Sequence, residues 1–176
     1  MPDHGDGFLT DTGRGPGQHC HRLRGDAEAY LGDDQAMDAA RHQVVAGNGS
    51  HLYLRTLQPD IRVYVTIRLW DNPPPPPADA EGDAPLTLDS QTGILVVNQL
   101  TLGPTGEMTL PQPGLYEGTA WWSGRQSTAD YYNLILQSID DTWTPDRVTQ
   151  AWAGCPTQER YVLDLSHKTP SPDDTE

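Results

Sequence analysis

Residues 61–70 read IRVYVTIRLW. Ile61, Val63, Val65, Ile67 and Leu69 take every second position, and Arg62, Tyr64, Thr66, Arg68 and Trp70 fill the gaps. Side chains on a strand alternate faces, so this run has one wholly apolar face and one mixed face. Its β-branched and aromatic residues suit a pleated, half-buried surface. Alternation of this kind marks an antiparallel sheet with one face on a core, rather than a parallel sheet covered on both faces. A chain carrying such a strand must supply partners for it, and the rest of the sequence can be read with that need in mind.

Further runs qualify. Residues 51–57 alternate Leu52, Leu54 and Thr56 against Tyr53, Arg55 and Leu57, and Gly47-Asn48-Gly49 precedes them as a hairpin turn that accepts positive φ. Residues 94–102 (ILVVNQLTL) follow a Ser-Gln-Thr-Gly turn, and residues 115–122 place Leu115, Glu117, Thr119 and Trp121 opposite Tyr116, Gly118, Ala120 and Trp122. Residues 131–139 (YYNLILQSI) are apolar almost throughout and read as a strand covered on both faces, and residues 160–165 (RYVLDL) as a last strand. Thr144-Pro145-Asp146 opens the one well-signalled helix: a hydroxyl for the N-cap, proline at the first position and an acid at the positive end of the dipole. Val148, Ala151 and Trp152 share a face there, and Gly154 and Pro156 end it. Gly and Pro number 17 and 16, as many turns between short strands require. The expected fold class is therefore all-β: an antiparallel, jelly-roll-like β-sandwich of about eight strands with one short C-terminal helix.

Three regions are expected along the chain. Residues 1–40 read as an irregular arm with a short helix near 26–40, where Ala29, Tyr30, Met37 and Ala40 make a thin stripe broken by Gly32. Residues 41–168 form the sandwich, and residues 169–176 (TPSPDDTE, with Thr169 first) a disordered acidic tail. Between two strands, residues 71–85 include five consecutive prolines at 73–77, which stiffen a long surface loop.

Charge narrows the function. Asp and Glu outnumber Lys and Arg by 25 to 11, a formal net charge of −14. Such a surface repels phosphate backbones and anionic lipid, so neither nucleic acid nor a membrane is an expected partner, whereas a basic protein is. No apolar run approaches the roughly 20 residues of a membrane helix. Residues 1–10 lack the basic-then-apolar order of a signal peptide, and the cytoplasm is the expected location. Cys20 and Cys155 are the two cysteines, and spacing alone leaves their pairing open.

Candidate chemistry is sparse. His19-Cys20-His21 has an H-x-H pattern but no second half of a metal motif. Asp71, Asp79, Glu81, Asp83, Asp140 and Asp141 are clustered acids without the regular spacing of a calcium loop. No nucleophile elbow, phosphate loop or zinc-protease helix is present, and nothing in the sequence places Ser123, His51 and Asp71 together as a triad. No enzyme activity, cofactor or metal is expected. Aromatic residues offer more: there are five Trp, and adjacent Trp121 and Trp122 on a strand must face opposite sides. Exposed Trp and Tyr mark binding surfaces. Trp70, Asp71, Trp121, Trp122, Arg125 and Tyr131 are the candidate binding residues.

Leu69-Trp70 at a strand end, Gly93-Ile94-Leu95-Val96, and Leu110-Pro111 with Pro113-Gly114-Leu115-Tyr116 before an aromatic strand carry a family resemblance. In the order of these features the chain resembles small bacterial β-sandwich proteins of the competence protein J (nuclease inhibitor) type. The resemblance implies a non-catalytic protein, one that in some members binds a toxin or nuclease. It covers less than half of the chain, and no inhibitory residues are carried over. The proline loop, the 144–154 helix and the N-terminal arm depart from the pattern. The expected function is a protein-binding β-sandwich, an inhibitor or immunity-type factor for a basic partner. The alternative is a carbohydrate-binding module with an aromatic platform.

Overall fold

A computed structural model describes residues 8–11, 20–24, 32–99 and 103–169. Among these, ten strands and three helices follow in the order β1 (Phe8–Asp11), β2 (Cys20–Arg24), α1 (Asp33–Gln43), β3 (Val45–Gly47), β4 (His51–Arg55), β5 (Val63–Leu69), β6 (Gly82–Ser90), β7 (Ile94–Gln99), β8 (Gly103–Thr109), β9 (Gly114–Ser123), α2 (Arg125–Ser138), α3 (Pro145–Ala153) and β10 (Glu159–Thr169). The strands make two five-stranded sheets, ordered β1-β5-β10-β9-β6 and β3-β4-β2-β7-β8.

The apolar alternation of residues 61–69 governs the packing. Val63, Val65 and Ile67 of β5 are buried, as is Ile61 just before it. The three β5 residues join Leu86 and Leu88 of β6, Tyr116 and Trp122 of β9, and Tyr161, Leu163 and Leu165 of β10. The second sheet contributes Val45, Leu52, Leu54, Leu95 and Val97 to the same cluster, so the two sheets share one core. A second, smaller cluster lies on the far side of β4, where Tyr53 meets Ala36 and Ala40 of α1.

Several expectations are corrected. With three helices the protein is β-rich rather than all-β. The first sheet is mixed rather than antiparallel: β10 runs parallel to β5, with Leu163 beside Ile67 and Asp164 beside Arg68, and antiparallel to β9. β10 is the middle strand of its sheet, and β5 lies between it and β1. Residues 131–139, read as a strand, lie mostly in α2. Two stretches of the arm expected to be irregular are strands, β1 on β5 and β2 between β4 and β7. α1 (Asp33–Gln43) overlaps the later part of the helix expected at 26–40, whose residues 26–31 lie outside the described residues. The tail beyond Thr169 lies outside the described residues.

The helix read from its cap is present. Thr144 Oγ1 accepts a hydrogen bond from the Arg147 N–H at 3.3 Å, Pro145 takes the first position, and Gly154 follows the last turn. α2 lies against the N-terminal end of β10. Its buried Thr128 donates to the Thr157 carbonyl at 3.5 Å, and Tyr132 donates to Asp60 Oδ2 at 2.9 Å. The turn into α2 requires glycine. Gly124 has φ +70°, and a Cβ there would lie 2.3 Å from the Gln158 carbonyl oxygen.

Candidate interaction face on the first sheet

Odd-numbered residues of β5 and β10 point into the core, so their even-numbered neighbours form the outer face of the sheet. Register sets Arg68, Asp164 and Thr119 in one row across β5, β10 and β9. Trp70 follows Arg68 by one alternation. Trp121 lies in the next row, beside Val162. Gly118 allows β9 to come this close: a Cβ on it would fall 1.8 Å from the Asp164 carbonyl oxygen.

Asp164 is the centre of the face. It is only 1 % exposed, yet it is a carboxylate on the face of the sheet turned away from the core. Its burial is made tolerable by four donors. Arg68 Nε and Trp70 Nε1 donate to Oδ1 at 2.6 and 2.7 Å. Arg68 Nη2 and Trp121 Nε1 donate to Oδ2 at 2.7 and 2.9 Å. The arginine fork is bidentate, which adds direction as well as strength. The Arg68 guanidinium carbon also lies over both indoles, 5.5 Å from the Trp70 ring centroid and 5.7 Å from that of Trp121. Burial pushes the Asp164 carboxyl up, but the hydrogen bonds from Arg68, Trp70 and Trp121 and the Arg68 charge outweigh it. The group is held below the ordinary carboxylate range.

This chemistry is a support, not a reaction centre. A carboxylate with its lone pairs occupied and its proton affinity lowered is a poor general acid and a poor base. What it does is fix two large aromatic side chains and an arginine in one arrangement. Thr66, Arg68, Trp70, Thr119 and Trp121 all remain half-exposed, so the arrangement is presented to solvent. Trp and Arg held rigid before contact are the residue types that dominate protein interfaces.

The six candidate residues divide. Trp70 and Trp121 come together here. Asp71 is exposed just beyond Trp70, and with exposed Asp79 and Glu81 of the loop before β6 and exposed Asp83 of β6 itself, paired with Trp121, it makes an acidic rim. Trp122 faces the core, as adjacency to Trp121 on a strand demands. Arg125 is structural: its N–H donates to Glu81 Oε2 at 2.9 Å, and Nε and Nη2 donate to the Arg55 carbonyl at 3.3 and 3.2 Å. Tyr131 joins the helices by donating to the Ala151 carbonyl at 2.7 Å. Arg68 and Asp164 were missed. A signal existed for each: Arg68 shares the mixed face of its strand with Trp70, and Asp164 is the one acid within the apolar run of residues 161–165.

Other polar groups sit elsewhere. Glu159 and Tyr161 are buried at the start of β10 and hydrogen-bond each other, and Gln58 Nε2 donates to Glu159 Oε2 at 3.0 Å. Burial is the main reason that the Glu159 carboxyl is raised, against the hydrogen bonds from Gln58 and Tyr161. His51 Nδ1 lies 2.8 Å from Asp33 Oδ1 in the interior, so His51 is partnered by Asp33 and not Asp71. A cavity of about 260 Å³ between α3 and the lower end of the outer face is lined by Asp60, Tyr64, Trp152 and Cys155, the last a free thiol. Among the described residues no group of three or more His, Cys, Asp or Glu could hold a metal. His19 lies outside the described residues.

Two solved structures share this architecture. One is ComJ from Bacillus subtilis, described as an inhibitor of the DNA degrading activity of NucA. The fold is similar to that of ComJ. The likeness has a TM-score of 0.53 at 12% identity and covers 93% of this chain and 96% of ComJ. The other is the protein of crocagin biosynthetic gene J, with a TM-score of 0.52 at 13% identity, covering 93% of this chain and 99% of that one. The resemblance to the ComJ type read from the strand and turn features therefore extends to the fold of nearly the whole chain. The sequence matches no protein-family profile and no curated protein.

Proposed function

We propose that this chain is a non-catalytic protein-binding domain, an inhibitor or immunity-type factor that captures a basic partner. The observation that carries the reading is the Arg68–Trp70–Trp121 group, locked onto buried Asp164 and left half-exposed on an open sheet face. An acidic rim beside it and a net charge of −14 favour a positively charged partner. ComJ, of like fold, inhibits the DNA degrading activity of another protein, and inhibition by occlusion needs a contact surface rather than catalytic groups. A carbohydrate platform is the weaker reading, because Arg68 already lies over both indole rings on which a sugar would stack.

The test is direct. Tagged protein is used to retrieve its partner from cells of its own source, and the purified pair is then titrated by calorimetry. Trp70→Ala and Trp121→Ala, checked for folding by circular dichroism, are expected to raise Kd by roughly tenfold or more each. Unchanged affinity in both folded variants would remove the face from the interface. A saturable tryptophan fluorescence response to polysaccharide, with no protein retrieved, would favour the sugar reading instead.

A further inference from the structure

α2 is longer than the surface it covers. Ala129, Tyr132 and Leu136 fall on one stripe of the helix at three- and four-residue spacing. Ala129 is 4 % exposed, Tyr132 is half-buried, and Leu136 is 44 % exposed. The apolar stripe thus starts in the interior and runs out into solvent. α3 does not cover its end. That helix has no buried residue of its own, and it meets α2 through the Tyr131–Ala151 hydrogen bond and the Tyr132–Trp152 ring pair. Below the stripe, the turn bonded to Tyr132 through Asp60 exposes Leu57 by 46 %. Isolated exposed leucines are ordinary, but a core-facing stripe that outruns its core is an unfinished contact.

We infer that the outer half of the α2 stripe, centred on Leu136, is a docking ledge for a basic protein partner. The inference rests on the protein-binding reading above and adds a contact element to it. Charge selects the occupant. The α2–α3 hairpin exposes four acids, Asp130, Asp140, Asp141 and Asp146, against one exposed base, Arg147, so the hairpin that carries the stripe is net acidic. A second copy of the chain would bring its own −14 against them, and like charges opposed across an interface are costly. A partner with an apolar knob ringed by Lys or Arg satisfies both the stripe and its rim.

The test uses the purified partner and three variants. Leu136→Asp adds negative charge, which attraction to a basic partner would reward, so weaker binding reports the lost apolar contact. The ledge predicts a rise in Kd of roughly tenfold or more for Leu136→Asp. Leu136→Ala should fall between it and wild type. Ile94→Asp, at an exposed apolar residue of β7, should stay within about twofold of wild type because it lies outside the ledge. Thermal unfolding confirms that each variant is folded. Wild-type affinity in folded Leu136→Asp, with weakened binding in Trp121→Ala, overturns the ledge and leaves the protein-binding reading standing. Failure to bind any protein, or a partner of acidic charge, overturns both. Sedimentation that shows a wild-type dimer dissolved by Leu136→Asp makes the occupant a second copy and overturns the inference.

Discussion

Asp164 and Glu159 lie on the same strand, and their surroundings push their protons in opposite directions. Asp164 is buried among donors and is held below its ordinary value, whereas Glu159 is buried with too few donors and is raised. The consequences for stability have opposite signs. A depressed carboxyl stabilises the fold above its unfolded value, near about 3.9, and loses that contribution as pH falls through the folded value. A raised carboxyl keeps its proton longer when folded, so stability declines as pH rises from about 4.3 toward the folded value. Asp164→Asn should therefore be less stable than wild type at neutral pH by about 2–3 kcal/mol, since Arg68 keeps its charge without a counter-charge. The figure sits below that for a fully buried pair because the Arg68 side chain is 31% exposed. The variant should also lose less stability than wild type as pH drops below about 4. Glu159→Gln should flatten the decline above about 4.3. Denaturant titrations from acid to neutral pH read both. A profile for Asp164→Asn parallel to wild type throughout would show that the cluster does not hold the Asp164 proton as argued.

The helices differ in what announces them. α3 begins at Thr144, whose hydroxyl caps the Arg147 N–H, and it was legible from that residue, Pro145 and Asp146. α1 and α2 begin at Gly32 and Gly124, both left-handed and neither with a side chain to cap the helix. α1 still has Asp33 and Asp34 in its first turn, but α2 has neither a cap nor an acid there, and its apolar run then looks like a covered strand. What makes it a helix is tertiary: Tyr132 reaches Asp60, and Thr128 and Ala129 are buried at the sandwich end. The site was half legible for a related reason. Abundant tryptophan pointed to Trp70 and Trp121, but Asp164 meets Arg68 across 96 residues of chain, by a parallel pairing that no local pattern encodes. Because α3 has no buried residue, its cap should matter to it more than packing does. Thr144→Ala is expected to cost about 1 kcal/mol, confined to α3. Hydrogen exchange should quicken at Arg147 and the rest of the first turn while β10 keeps wild-type protection. Equal loosening in both would mean that the helix and the sheet open as one unit.

At the scale of the molecule, charge and shape divide the work of recognition. The 25 acids outnumber the 11 bases along the whole sequence, while the rigid aromatic group is confined to one sheet face. Spread charge acts at a distance and is screened within about 8 Å at physiological salt, so it belongs to the approach of the partners. Fixed aromatics act only at contact, so they belong to the lifetime of the complex. The two can be separated by kinetics. With a basic partner, raising salt from about 0.02 to about 0.5 M should slow association by roughly tenfold or more while changing dissociation little. Trp121→Ala should do the reverse, leaving the salt slope of association intact and speeding dissociation. Surface plasmon resonance on the purified pair distinguishes these. An association rate indifferent to salt would mean that the acidity serves solubility alone, and the choice of a basic partner would lose its physical ground even if the aromatic face still bound.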